Sequence, residues 1–282
     1  MSTVVEARRT VIRTVPVFFM NSVLAVTIGI VVARLVELSA VALAGAVAGR
    51  DPVIRLSGVE LRAAGSDWVA LAAPVAGVFV GLVLLLLYPG SRDRSPGRLA
   101  MLWTMLFCFR AGLVGFASGA LDESTALGSE LASLDLPGGI DIVIAVAALL
   151  ALALVAVGAA PAFLSFARHR SEVGTRLERM RFAASIVLVP AIVGPLLAIP
   201  MFLPDASGFI GTLPTIGLFV LLTVICAPFT TAFRPPEVVE ERGLSLGLVA
   251  GLAFVIVFMR FGIGSGMPIP PWDESLNLTW RA

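Results

Sequence analysis

Apolar residues in this chain come in long, nearly uninterrupted runs. They show neither the two-residue alternation of half-buried strands nor the one-sided apolar stripe of a surface helix. A helix of about 20 apolar residues crosses the roughly 30 Å hydrocarbon core of a bilayer. On that measure, spans are predicted over Trp68 to Tyr88, Leu99 to Leu121, Ile140 to Phe166, Phe182 to Leu203, Thr212 to Phe233 and Leu244 to Ile263. The first run, Val15 to Gly49, is longer, and at 1.5 Å per residue it would reach roughly 52 Å. Its only charges are Arg34 and Glu37, three positions apart on one helical face. The length predicts a break near Arg34, giving either a broken helix or a crossing followed by a re-entrant helical piece.

Charge in the connecting segments sets the expected topology, because cytoplasmic loops collect basic residues. Arg8, Arg9 and Arg13 precede the first run, Arg92, Arg94 and Arg98 outweigh Asp93, and residues 168–181 carry Arg168, Arg170, Arg176, Arg179 and Arg181. Asp122, Glu123, Glu130 and Asp135 lie in a connection without a base, which therefore faces outward. These signs alternate correctly if Val15 to Gly49 makes one net crossing. The expected fold is an all-α polytopic membrane protein of about seven transmembrane crossings, N-terminus in the cytoplasm and C-terminus outside.

The polar segment Asp51 to Asp67 alternates around Ser57-Gly58 and predicts a short surface β-hairpin near 52–63. Pro190, Pro195 and Pro200 predict a kinked or broken span, since each removes a helical hydrogen bond. Gly77 with Gly81, and Gly247 with Gly251, have the four-residue spacing that lets helix backbones approach. The chain divides into a cytoplasmic N-terminus (1–14), a membrane core (15–166), a basic cytoplasmic loop (167–181), a three-span unit (182–263) and an extended tail (264–282), which Trp272 and Trp280 would anchor at the interface.

Composition agrees with the pattern. Hydrophobic residues make up 58% of the chain and charged residues 14%, with a mean hydropathy of +0.99; soluble domains carry about 25% charged residues. The expected setting is a bacterial cytoplasmic membrane, with the lipid bilayer as the first partner. A net charge of +1 gives no field that would attract nucleic acid. All 20 basic residues are Arg, and both cysteines, Cys108 and Cys226, fall in apolar spans as small buried residues rather than a disulfide. The single histidine, His169, sits among the arginines of the basic loop. Arg168, Arg170, Arg176, Arg179 and Arg181 are candidate contacts for anionic headgroups.

Ionisable groups at membrane depth are the remaining candidates for function. Arg110 stands mid-span, and an Arg facing lipid there costs about 2.5 to 3.5 kcal/mol, so it is expected to face the interior. Glu37 is expected to pair with Arg34 or with Arg110. Together with Asp122 these residues form the candidate polar or ligand site.

The order of elements carries a resemblance. Val36-Glu37-Leu38-Ser39-Ala40 is followed by Val41-Ala42-Leu43-Ala44-Gly45, the hairpin, Ala72-Ala73-Pro74-Val75-Ala76-Gly77 at the opening of the next span, and Asp122 after the one beyond. This order, over residues 15–158, resembles the site-2-protease-like intramembrane metalloproteases. There a helix bears HExxH, a surface hairpin and an Ala-Gly-Pro turn follow, and a later Asp completes a zinc site. The resemblance implies that Glu37 descends from a general base and Asp122 from a third ligand. HExxH binds zinc through two histidines on one helix face, and here Val36 and Ala40 occupy those positions. Neither can coordinate a metal, so the resemblance implies a degenerate relative with no cofactor and no metal; a set of Cys108, Glu37 and Asp122 is the weak alternative. Three functions follow in order of expectation. The first is a non-catalytic, pseudoprotease-like scaffold or accessory subunit partnered by other membrane proteins. The second is a transporter or channel using the polar site around Glu37 and Arg110, and the third a residual intramembrane hydrolase.

Overall fold

A computed structural model describes residues 2–61, 67–88, 95–133, 139–167, 172–203, 206–230, 244–264 and 266–269, with side chains from Phe19 onward except at 126, 130, 133, 207 and 208. The predicted anchors Trp272 and Trp280, and Arg92, Arg94, Arg168, His169 and Arg170, lie outside the described residues. Among those described, six helices are long and apolar enough to cross a membrane, and a seventh apolar helix, Leu213–Phe229, is shorter. The chain is thus a helical, polytopic, membrane-type fold with apolar faces fit for lipid.

Helix α1 (Ser2–Val47) is continuous over 46 residues, which corrects the expected break near Arg34. Two features fit an uninterrupted helix. Arg34 and Glu37 stand one turn apart and pair along it at 2.9 Å, the favourable spacing for opposite charges. Gly29 faces a neighbour closely, since a Cβ there would lie 3.0 Å from the backbone of Trp103 and Thr104. The polypeptide then forms the predicted hairpin, β1 (Pro52–Ile54) antiparallel to β2 (Val59–Leu61). A third strand, β3 (Met267–Pro268) from the tail, pairs with the other edge of β1, so the sheet order is β2-β1-β3.

A short 3-10 turn leads into α2 (Ala72–Leu87), which packs along the central helix α3 (Pro96–Leu121). The predicted glycine contact is real here. A Cβ on Gly77 would lie 2.9 Å from the carbonyl oxygen of Cys108, one on Gly81 2.9 Å from the Phe109 ring, and one on Gly112 2.6 Å from the carbonyl of Pro74. The Gly247 and Gly251 pair makes no such approach; its nearest contacts, at 3.7 and 3.8 Å, are to side-chain ends. Helix α3 also packs on α1 and on α5 (Ile140–Leu164), with α4 (Ala126–Ser133) between them in sequence. Trp103, Phe107 and Phe163 fill the centre with ring contacts of 5.7 and 4.9 Å.

The proline-rich segment stays helical. It begins earlier than expected, as α6 (Arg176–Ala183), so the end of the basic segment is helix and not loop. Thr175 caps it, with Glu178 closing a capping box. A π-helical turn, Ala184–Leu188, links it to α7 (Val189–Ala198) and a closing 3-10 turn at Ile199–Phe202. Pro190 has no N–H for the carbonyl of Ile186, four residues back. The buried hydroxyl of Ser22 donates to that carbonyl at 2.7 Å, and the indole N–H of Trp103 donates to Ser22 at 3.3 Å. Widening to a π turn and borrowing a hydroxyl from α1 keep the proline-bearing helix whole.

Helices α8 (Ser207–Ile210), α9 (Leu213–Cys226) and α10 (Leu246–Val257) complete the bundle, α10 continuing as a π-helical turn through Ile263. Helix ends gather at two poles. At one, the Ser245 N–H donates to Asn21 at 2.9 Å, Arg98 lies over the Tyr88 and Phe166 rings, and Arg179 donates to the carbonyl of Thr230 at 2.7 Å. At the other are the three-stranded sheet and a bond from Arg260 to the carbonyl of Leu203.

The α2–α3 contact generates a prediction. Gly112→Ala should lower stability by about 1–3 kcal/mol through overpacking against the α2 backbone, read as unfolding of the purified protein in detergent. Gly217→Ala, where an added Cβ meets nothing within 4 Å, should leave stability unchanged or raise it.

Candidate functional site

One face of α1 builds the site. Positions 30, 33, 34, 37, 38 and 41 follow helical spacing, and they line two adjoining cavities beneath the hairpin and against α3. The smaller, about 50 Å³, is walled by Ile30, Ala33, Arg34 and Glu37 of α1, Phe107 and Arg110 of α3, and Phe209, Thr212 and Ile216 from the start of the α8–α9 segment. The larger, about 340 Å³, lies between Leu38 and Val41, the hairpin residues Gly58 and Val59, Ala73-Pro74 at the opening of α2, and Ala111 and Gly115 of α3. Arg34 and Glu37 border both, so their ion pair is the shared wall.

Arg34 is spent structurally. Its Nη1 donates to Glu37 Oε2 at 2.9 Å and its Nη2 to the carbonyl of Ser57 at 2.8 Å. That carbonyl belongs to the hairpin turn, which is closed by the Arg55 N–H donating to Gly58 at 2.8 Å. The guanidinium therefore ties α1 to the tip of the hairpin while neutralising the carboxylate. Side-chain exposure of 33% for Arg34 and 22% for Glu37 leaves the pair half-buried.

Arg110 is the opposite case. It is 8% exposed, its Nη1 donates to Thr215 Oγ1 at 2.9 Å, and its Nε is buried without a hydrogen-bond partner among the described residues. The Thr215 hydroxyl in turn donates to the carbonyl of Thr212 at 2.8 Å. No ion pair within 4.0 Å joins Arg110 to Glu37; the two face each other across the small cavity.

Asp122 does not join them. It caps the C-terminus of α3, exposed, and its Oδ1 accepts the Ser124 N–H at 2.9 Å and the Ser124 hydroxyl at 2.6 Å. Those two bonds hold its carboxyl below the usual carboxylate range. At 1.5 Å per residue it stands about 18 Å along the helix from Arg110. Val36 and Ala40 line neither cavity and carry no donor atom, so the residues present do not fit a zinc site of the HExxH kind. Nor are Cys108, Glu37 and Asp122 brought together: among the described residues no three His, Cys, Asp or Glu side chains are grouped to hold a metal.

The predicted headgroup arginines divide in use. Arg181 is exposed, Arg176 lies 5.7 Å from the Phe229 ring, and Arg179 is bound to the carbonyls of Val173, Pro228 and Thr230. Arg168 and Arg170 fall outside the described residues. Sequence reasoning missed Thr212 and Thr215. Their signal was a pair of hydroxyls three apart at the mouth of an otherwise apolar helix.

No protein-family model matches this chain, and no curated protein or solved structure is significantly similar to it.

Proposed function

We propose that this chain is a non-catalytic integral membrane protein that crosses the bilayer seven times, a pseudoprotease-like scaffold or accessory subunit of a membrane complex. One observation carries the reading. Glu37, the hairpin and Ala73-Pro74, the elements on which the metalloprotease resemblance rests, border a single cavity, and its only charged groups neutralise each other. Among the described residues the remaining lining is Leu, Val, Gly, Ala and Pro, without a nucleophile, a metal ligand or an oxyanion donor on any side chain. A site of that kind can seat an apolar segment of a partner but has no group to perform hydrolysis.

Seven crossings are favoured by parity. Strands β1 and β3 share a sheet, so an even number of crossings must separate them. Between them lie α2, α3, α5, the Arg176–Phe202 helix, Leu213–Phe229 and the final helix. The count is even only if the short helix crosses as well; Arg179–Thr230 holds its C-terminal end at the Asn21 pole, and its N-terminal end meets Arg110 part-way along α3. With Phe19 at the inner boundary, about 20 residues bring α1 to the outer boundary near Leu38, which places Arg34 and Glu37 beside the hairpin at the interface. Basic residues favour the cytoplasm for the Asn21 pole, and a bacterial cytoplasmic membrane is the proposed setting. A second reading, a transporter or channel, is favoured by the buried Arg110 and its cavity.

Reporter fusions test the topology: a fusion at the N-terminus should report the cytoplasm and one after Ile269 the outside, whereas the same side for both contradicts seven crossings. Affinity purification of the full chain in mild detergent tests the role. A stoichiometric membrane-protein partner is expected, and a stable, partner-free monomer contradicts an accessory subunit.

A further inference from the structure

We infer that the small cavity at Arg110 is a binding site for a small monovalent anion, of the size of chloride or formate. Arg34, Glu37 and Arg110 are the charged groups on its wall, and Arg34 with Glu37 at 2.9 Å makes a closed pair. The wall thus carries two guanidinium charges against one carboxylate, and Arg110, 8% exposed in an apolar surround of Ile30, Phe107 and Ile216, has no ion pair within 4.0 Å among the described residues. A buried charge without a partner costs several kcal/mol, so a guanidinium is held in such a place when something anionic meets it.

Donor accounting points the same way. Thr215 takes one N–H of the guanidinium at Nη1, and Nη2, which has no partner among the described residues and is not sealed from water as Nε is, is the donor left for an anion. The site has room for one. Its 50 Å³ is several times the roughly 10–15 Å³ that a water needs, yet far too small for a phosphate ester or a peptide carboxylate with its chain. The larger cavity under the hairpin adjoins it, the two sharing the Arg34–Glu37 pair as a wall. The competing account is that Glu37 compensates Arg110 through ordered water across the cavity. The inference is independent of the scaffold reading, since a bound anion can be structural.

The test uses the purified full-length protein in detergent at constant ionic strength, titrating chloride, bromide and formate against gluconate and reading the unfolding temperature. Chloride and formate should give a saturable rise of about 3–5 °C at tenfold excess over Kd, with gluconate inert. Arg110→Gln should abolish the rise. Glu37→Gln keeps the idea testable if Arg110→Gln does not fold. Removing the facing carboxylate should tighten chloride and formate binding about tenfold, whereas the water-bridged account has the variant lose stability without gaining affinity. Equal unfolding temperatures in all four anions, an undiminished rise in Arg110→Gln, or unchanged affinity in Glu37→Gln overturns the inference.

Discussion

Everything else in this fold is arranged around the close approach of backbone to backbone along α3. Within a bilayer the lipid tails are as apolar as leucine, so helices gain little from hiding apolar surface and associate through packing and hydrogen bonds. Helix α3 meets that condition with Gly112 against the carbonyl of Pro74, and its neighbours reciprocate with Gly77, Gly81 and Gly29. Because α1 and α2 come so near, the space between them and α3 closes except where Arg34, Glu37 and Arg110 hold it open. The site is thus a consequence of the packing, a polar seam left between helices that otherwise touch.

The seam divides its charges unequally. Arg34 serves two masters at once, the carboxylate one turn along its own helix and a backbone carbonyl of the hairpin turn, and so fixes the hairpin over α1. Both of its terminal nitrogens are engaged in holding structure. Arg110, held by a threonine from the other half of the chain, retains its charge unmatched. The two arginines of one cavity are thus used differently, Arg34 to tie the hairpin to α1 and Arg110 held by Thr215 alone among the described residues.

Much of this was legible in the chain. Apolar runs gave the helices, and alternation around Ser57-Gly58 gave the hairpin, because both patterns reflect local periodicity. Length misled at α1: a run too long to cross was read as broken, when a helix can simply continue past the hydrocarbon boundary and be covered by a hairpin. The prolines at 190, 195 and 200 announced damage to a helix, yet nothing local said that Ser22, far away in sequence, would repair it. The same limit hid the site. Spacing placed Arg34 and Glu37 on one face, but that Thr215 would meet Arg110, and that Asp122 would turn to Ser124 and stay outside, depends on tertiary packing.

The central claim is that the Glu37 carboxylate is committed to Arg34 and, through it, to the hairpin. A double-mutant cycle of Arg34→Gln and Glu37→Gln, with stability and hydrogen exchange over residues 52–61 as joint readouts, measures this directly. The account predicts a coupling of about 0.5–3 kcal/mol between the two positions, with hairpin exchange accelerated in both single variants. Additive effects, with exchange in the hairpin unchanged when Glu37 is neutralised, would show that the carboxylate is held for another purpose.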